Sequence, residues 1–164
     1  MRIGFGYDAH RLVRDVALVL GGLAIPHEYG LEGHSDADVV VHALCDAMLG
    51  AAALGDIGQH FPSTEERWHG VSSLTLLKAV TRLLEENHYT LGNADITIVA
   101  QRPRLAPYLP RMTATLAAPL NAEPAQISVK ATTTDGLGFP GKEMGIAAYA
   151  VCLIWPSQAA DATS

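Results

Sequence analysis

Three residues near the start of the chain have the types and spacing to hold a metal ion: Asp8, His10 and His42. Residues 2–8 alternate Ile3, Phe5, Tyr7 against Gly4, Gly6, Asp8, and a period of two predicts a strand. On such a strand Asp8 and His10 share a face, so a carboxylate and an imidazole converge on one point. His42 lies in an almost wholly apolar run, Val39 to Leu54, whose exceptions are Asp38 just before it, His42, Asp46 and Gly50. Residues four apart form a single stripe on a helix. Two imidazole nitrogens and a carboxylate oxygen suit Zn²⁺, whose catalytic sites keep three protein ligands and one open position. The competing reading is a core histidine satisfied by Asp46. The other loop and helix-end histidines, His27, His60, His69 and His88, read as solvated surface.

A second group is Lys130-Ala131-Thr132-Thr133-Thr134-Asp135. A strand ending in three threonines and an acid offers hydroxyls and N–H groups to phosphate oxygens. The acid suits Mg²⁺, which takes one or two carboxylates together with substrate phosphates. Threonine is also common on an edge strand with no ligand at all. A third group is Ala100 to Ala106, a proline-bracketed loop with two arginines. It can place backbone groups around a planar base with a cation near phosphate, or be merely a basic loop.

These groups need elements to position them. The two glycines on one face of the first strand predict a close backbone approach by whatever covers it. Asp36 or Asp38 is placed to cap the apolar helix, and the loop before it can present N–H groups to an anion. A helix apolar on nearly all sides belongs in the interior. Ala17 to Leu20 and Leu23 to Ile25 flank Gly21-Gly22, a hairpin signal. Val71 to Asn87 is an amphipathic helix, with Ser72 or Ser73 near its start and Leu74, Leu77, Val80 and Leu84 facing the core. Thr90 to Gln101 and Ile127 to Thr134 read as strands. Pro110 opens a helix through Leu116 that Pro119 ends or kinks. The last strand, Gly145 to Trp155, is apolar on both faces and needs a cover on both sides. With three helices available, one side is left for another subunit.

The 164 residues predict one domain over 1–156, with a disordered tail at 157–164. A net charge of −6 argues against general nucleic-acid binding, which depends on neutralising phosphates. No apolar run is long enough to span a bilayer, and we expect no signal peptide. Cys45 and Cys152, each inside an apolar run, fit two buried thiols in a reducing compartment.

Taken together, these segments resemble one family. Asp8-Ala9-His10, His34-Ser35-Asp36-Ala37-Asp38, His42-Ala43-Leu44-Cys45-Asp46, Ala53-Leu54-Gly55-Asp56-Ile57-Gly58, and Lys130-Ala131-Thr132-Thr133-Thr134 with Gly138-Phe139 are similar to the motifs of the 2-C-methyl-D-erythritol 2,4-cyclodiphosphate synthases. That family belongs to the non-mevalonate route to isoprenoids. The resemblance covers residues 1 to about 155, in order and with matching spacing.

The resemblance implies an α+β, two-layer sandwich: a mixed sheet with helices on one face, and sheets packed inward in a cytoplasmic homotrimer with active sites between neighbours. It implies conversion of 4-diphosphocytidyl-2-C-methyl-D-erythritol 2-phosphate to the cyclic diphosphate and CMP. Zn²⁺ would sit on Asp8, His10 and His42, and Mg²⁺ or Mn²⁺ on Asp135. His34 and Thr133 would stabilise the transition state, with Ser35 at the terminal phosphate. Asp56, Ile57, Gly58 and Phe61 would meet the methylerythritol unit. Ala100, Pro103, Arg104, Leu105, Ala106, Ala131 and Thr132 would form the cytidine pocket, with Thr134, Phe139 and Lys142 also near substrate. In relatives the trimer's central cavity can hold an isoprenoid diphosphate.

The chain departs from the family's usual residues at four of these positions. Asp135 stands where Glu is common, Lys142 where Arg is, and Met144 and Tyr149 where Glu is. Two other readings stay distinct in class. A hydrolase on the same triad would use Asp46 as general base and release orthophosphate. A non-catalytic trimer binding nucleotides or isoprenoid diphosphates would not need His10 and His42.

Overall fold

A computed structural model describes residues 1–157. In chain order the elements are β1 (Arg2–Arg14), β2 (Leu18–Leu20), β3 (Leu23–Ile25), β4 (Tyr29–Leu31), α1 (Val39–Ala52), the one-turn α2 (Ile57–His60), α3 (Ser73–Glu86), β5 (Tyr89–Val99), α4 (Leu109–Ala117), β6 (Ile127–Thr132), the one-turn α5 (Gly138–Gly141) and β7 (Gly145–Pro156). Five strands form one mixed sheet in the order β4-β1-β7-β5-β6. Only β5 and β6 run parallel. β2 and β3 form the expected hairpin, and Gly21 and Gly22 take φ of +57° and +75°, as a tight two-residue turn requires.

α1 is buried along 11 of its 14 residues, as its all-round apolar sequence demands. It lies on β1, and the two strand glycines explain how closely. A Cβ on Gly6 would stand 1.9 Å from the Ala43 carbonyl oxygen, so only glycine lets helix and strand meet. Ile146, Ala148, Ala150, Cys152 and Ile154 of β7 and Ile96 and Ile98 of β5 complete this core.

Asp38, not Asp36, caps α1. Its wholly buried carboxylate accepts from Val40 N (3.1 Å), Val41 N (3.3 Å), Gly21 N (3.0 Å) and Gly22 N (2.6 Å). Those N–H groups of the helix start are therefore taken and do not face an anion. One side chain ties the hairpin to the helix. Burial pushes this carboxyl up, to about 6, against the N–H groups that lower it.

Among the described residues no helix covers the opposite face of the sheet. Ile3, Phe5 and Tyr7 of β1 and Tyr149, Val151 and Trp155 of β7 are exposed there, Ile3 by 69% and Phe5 by 64%. The two-sided apolar character of β7 is thus half satisfied within one chain.

Three expectations are corrected. The buried face of α3 includes Leu76 and Thr81, whereas Leu74, beside Gly22 of the hairpin, is only half-buried. The strand β6 ends at Thr132, so Thr133 and Thr134 lie in the turn beyond it. His27 and His60 are half-buried: His27 Nδ1 lies 3.0 Å from Tyr29 O, and His60 Nε2 lies 2.8 Å from Leu54 O. Their rings fold back onto nearby backbone. Of the tail, 158–164 lies outside the described residues, while Ser157 donates its N–H to His88 O at 2.8 Å.

Candidate metal centre and adjoining clefts

Among the described residues, Asp8, His10 and His42 form the one group of three or more acidic, histidine or cysteine side chains able to share a metal. One ligand atom from each lies within 4.8 Å of the others. β1 supplies Asp8 and His10 on its helix-facing side, and α1 hangs His42 above them. Asp8 Oδ2 lies 3.0 Å from His10 Nε2 and 3.0 Å from His42 Nδ1. Burial opposes charge on Asp8, but the hydrogen bonds and charges of the two imidazoles outweigh it and hold the carboxyl well below its usual range. The bond to Asp8 raises His10.

The far nitrogens fit a metal site. His10 Nδ1 lies 2.5 Å from Glu32 O, an acceptor that takes the ring proton and leaves Nε2 free to ligate. His42 Nε2 lies 3.0 Å from Ser73 Oγ and 3.1 Å from Ser35 Oγ. Asp46 does not serve His42. It accepts from Ile57 N at 2.8 Å and anchors the loop after α1.

The triad opens into a cleft of about 240 Å³ that His34, Ser35, Ile57, Gly58 and Phe61 also line. A second cleft, of about 750 Å³, is lined by Ala100, Pro103, Arg104, Leu105, Ala106, Ala131, Thr132 and Thr133. Gln101 and Arg102 of the same expected loop, with His27, Glu28 and Leu109, which the sequence did not mark as site residues, complete its wall. Five expected site residues line neither cleft. Asp56 caps α2, accepting from Gln59 N at 3.0 Å. The Thr134 hydroxyl donates to Leu137 O at 2.5 Å, inside its own turn. Asp135 accepts from Thr133 Oγ1 at 3.0 Å. Phe139 and Lys142 are exposed beyond that turn.

The two clefts share no lining residue. Sheet register says how far apart their chemistry lies. Asp8 pairs with Ala148, Ala148 with Ile98, and Ile98 with Ala131. Asp8 and Ala131 are therefore three strand spacings apart, about 14 Å. Thr133 and Asp135 follow Ala131 and stay on that far side.

Sequence reasoning missed Ser73 and Asp36 as companions of His42. Ser73 is wholly buried at the first turn of α3, and its N–H donates to Asp36 Oδ2 at 3.0 Å. Ser72, the residue before the helix, makes no side-chain cap. A serine at a helix start was visible in the sequence, but its partner lies 37 residues away.

Comparison with known proteins agrees with this architecture. A model of the YgbB family matches residues 1–155. The 2-C-methyl-D-erythritol 2,4-cyclodiphosphate synthase of Symbiobacterium thermophilum is 59% identical over 154 residues, covering 94% of this chain and 98% of the relative. A solved structure of a 2C-methyl-D-erythritol-2,4-cyclodiphosphate synthase with CDP bound superposes with a TM-score of 0.86 at 38% identity, over 94% of this chain and all of that one. The bifunctional IspDF of Campylobacter jejuni gives a TM-score of 0.90 at 38% identity; its match covers 93% of this chain and 42% of its own length. Among the described residues no helix is long and apolar enough to cross a membrane.

Proposed function

The chain belongs to the YgbB family, and from that premise we propose that it converts 4-diphosphocytidyl-2-C-methyl-D-erythritol 2-phosphate into 2-C-methyl-D-erythritol 2,4-cyclodiphosphate and CMP. It is a phosphorus–oxygen lyase of isoprenoid biosynthesis. The observation that carries this reading is the convergence of Asp8, His10 and His42 on one point, in a chain so similar to enzymes of that name. The 2-phosphate oxygen attacks the β-phosphorus of the same molecule. One P–O bond forms, the P–O bond to the α-phosphate oxygen breaks, and CMP carries that oxygen away. No water and no enzyme nucleophile enters the balance.

The protein's work is to fold the substrate on itself and to offset charge. When bound, Zn²⁺ on Asp8, His10 and His42 and Mg²⁺ on Asp135 supply Lewis-acid polarisation of the diphosphate. His34, exposed at the mouth of the triad cleft, donates to charge developing on the phosphates. Thr133, whose hydroxyl donates to Asp135, would donate to the same developing charge. Ser35 steadies the terminal phosphate. Asp56, Ile57, Gly58 and Phe61 hold the methylerythritol unit, and the cleft from Ala100 to Ala106 takes cytosine. Asp135, one methylene shorter than the family's usual Glu, would hold its cation from farther back.

The active site is completed between copies in a homotrimer. Two features support this. One chain holds its triad and its threonine turn about 14 Å apart, and it leaves an apolar sheet face bare. The cavity beside Phe139, Lys142, Met144 and Tyr149 binds isoprenoid diphosphates more weakly than in relatives. Lysine is a point charge and cannot clamp a diphosphate as arginine does.

Phosphorus NMR of the cytidyl substrate with the purified protein tests the reaction. Cyclic diphosphate and CMP are the expected products. Orthophosphate would make the protein a hydrolase, and an unchanged spectrum would make it a binding protein.

A further inference from the structure

We infer that Asp36 and Ser73 form a relay that keeps a hydrogen on His42 Nε2 and so reserves Nδ1 for the metal. The inference rests on reading Asp8, His10 and His42 as a metal site. Ser73 Oγ donates to Asp36 Oδ1, and Ser73 N donates to Asp36 Oδ2 at 3.0 Å. The carboxylate is thus gripped by both donors of one residue, and Asp36 N donates in turn to Val71 O at 3.2 Å. A carboxylate only accepts. The single Ser73 hydroxyl proton is therefore committed to Asp36, and Ser73 Oγ has only lone pairs left.

His42 Nε2 lies 3.0 Å from that oxygen. Two acceptors facing each other would be repulsive, so Nε2 carries the hydrogen and donates. Ser35 Oγ stands 3.1 Å from the same nitrogen and accepts from Ala37 N at 3.2 Å. Its own proton has an outlet on Ser73 Oγ, 3.4 Å away, so Ser35 does not have to donate to His42. With hydrogen held on Nε2, Nδ1 is the nitrogen left for the metal; it faces Asp8 at 3.0 Å, and that carboxylate accepts from it wherever no metal stands between them. A neutral imidazole ligates only through the nitrogen that lacks hydrogen.

The arrangement matches what Glu32 O does for His10, with one difference. A carbonyl can only accept, so one contact settles the His10 tautomer. A serine can donate or accept, and by itself settles nothing. Asp36 removes the choice. Ser73 is the first residue of α3 and wholly buried, while Asp36 is half-buried, so the hydroxyl that faces His42 is the sheltered end of the relay. Asp36 and Ser73 are positioning residues: they act on the metal through His42.

The tautomer is read directly in metal-free protein carrying ¹⁵N-labelled histidine. The wild type should show hydrogen on His42 Nε2, whether or not Nδ1 also carries one toward Asp8. Asp36→Asn can place an amide N–H against Ser73 Oγ, which frees the serine to donate and should shift His42 toward Nδ1–H. Zn²⁺ affinity, measured by competition with a chelating dye, should fall about 10- to 100-fold in Asp36→Asn and in Ser73→Ala. A wild-type His42 with no hydrogen on Nε2 overturns the relay, and so does unchanged Zn²⁺ affinity in both variants. Should Ser73→Ala not fold, the wild-type spectrum and Asp36→Asn still decide. A wild type that takes up no Zn²⁺ defeats the metal reading instead, and the ¹⁵N spectrum still judges the relay.

Discussion

Gly4 of β1 lies directly under Ala47 of α1: a Cβ on Gly4 would stand 1.8 Å from the Ala47 carbonyl oxygen. Gly6 meets Ala43 in the same way. The helix rests on strand backbone, and that contact sets the height at which His42, next to Ala43, hangs over Asp8.

Gly6→Ala should therefore lift the helix. Overpacking of this kind typically costs about 1–3 kcal/mol, and backbone is the obstacle here, so the upper end is expected. Zn²⁺ retention should fall with it, because His42 moves away from its partners. Urea unfolding and metal analysis read the two effects. A variant with full stability and full metal would mean that α1 can shift without cost.

Asp38→Ala should destabilise the fold more than loss of an ordinary cap. A cap alone is worth about 1 kcal/mol, and each buried donor left without an acceptor adds about 1–3 kcal/mol. Gly21 N and Gly22 N lose their acceptor along with the helix N–H groups. Asp38→Asn keeps one acceptor oxygen and should fall between. Equal stability of all three proteins in urea would show that water replaces the carboxylate.

If the proposed trimer forms through the bare face, Phe5→Asp or Val151→Asp should give monomers in sedimentation velocity and abolish turnover. A sharing test is independent of stability. His42→Ala and Thr133→Val copies, unfolded and refolded together, should regain activity that neither has alone. No recovery from well-mixed trimers would place each site within one chain.

The cleft from Ala100 to Ala106 should bind CMP more tightly than UMP or AMP. A pocket built to hydrogen-bond one base leaves its polar groups unpaired with another. Calorimetry with the three nucleotides distinguishes them, and equal affinities would remove cytosine recognition from this loop.

Thr133→Val should lower turnover on the order of a hundredfold with little change in apparent substrate affinity, as for a donor used mainly in the transition state. Weakened binding with normal turnover would make Thr133 a ground-state contact.

Much of this was legible from sequence because it depends on local period. Alternation placed Asp8 and His10 on one face of β1, and a spacing of four placed His42 on α1. The strand glycines announced the close helix, and an apolar β7 announced a face left to cover. Each is a statement about direction from a backbone whose repeat is known. Which polar groups then meet across the fold follows no such repeat. Asp46 stands one turn from His42 yet serves Ile57 N. Asp36, a candidate cap for α1, instead grips the start of α3, and Ser73 reaches His42 across 31 residues of chain. Those partnerships arise only when α3 docks beside α1 and excludes water. Buried donors and acceptors must then pair with whatever packing has brought within about 3 Å.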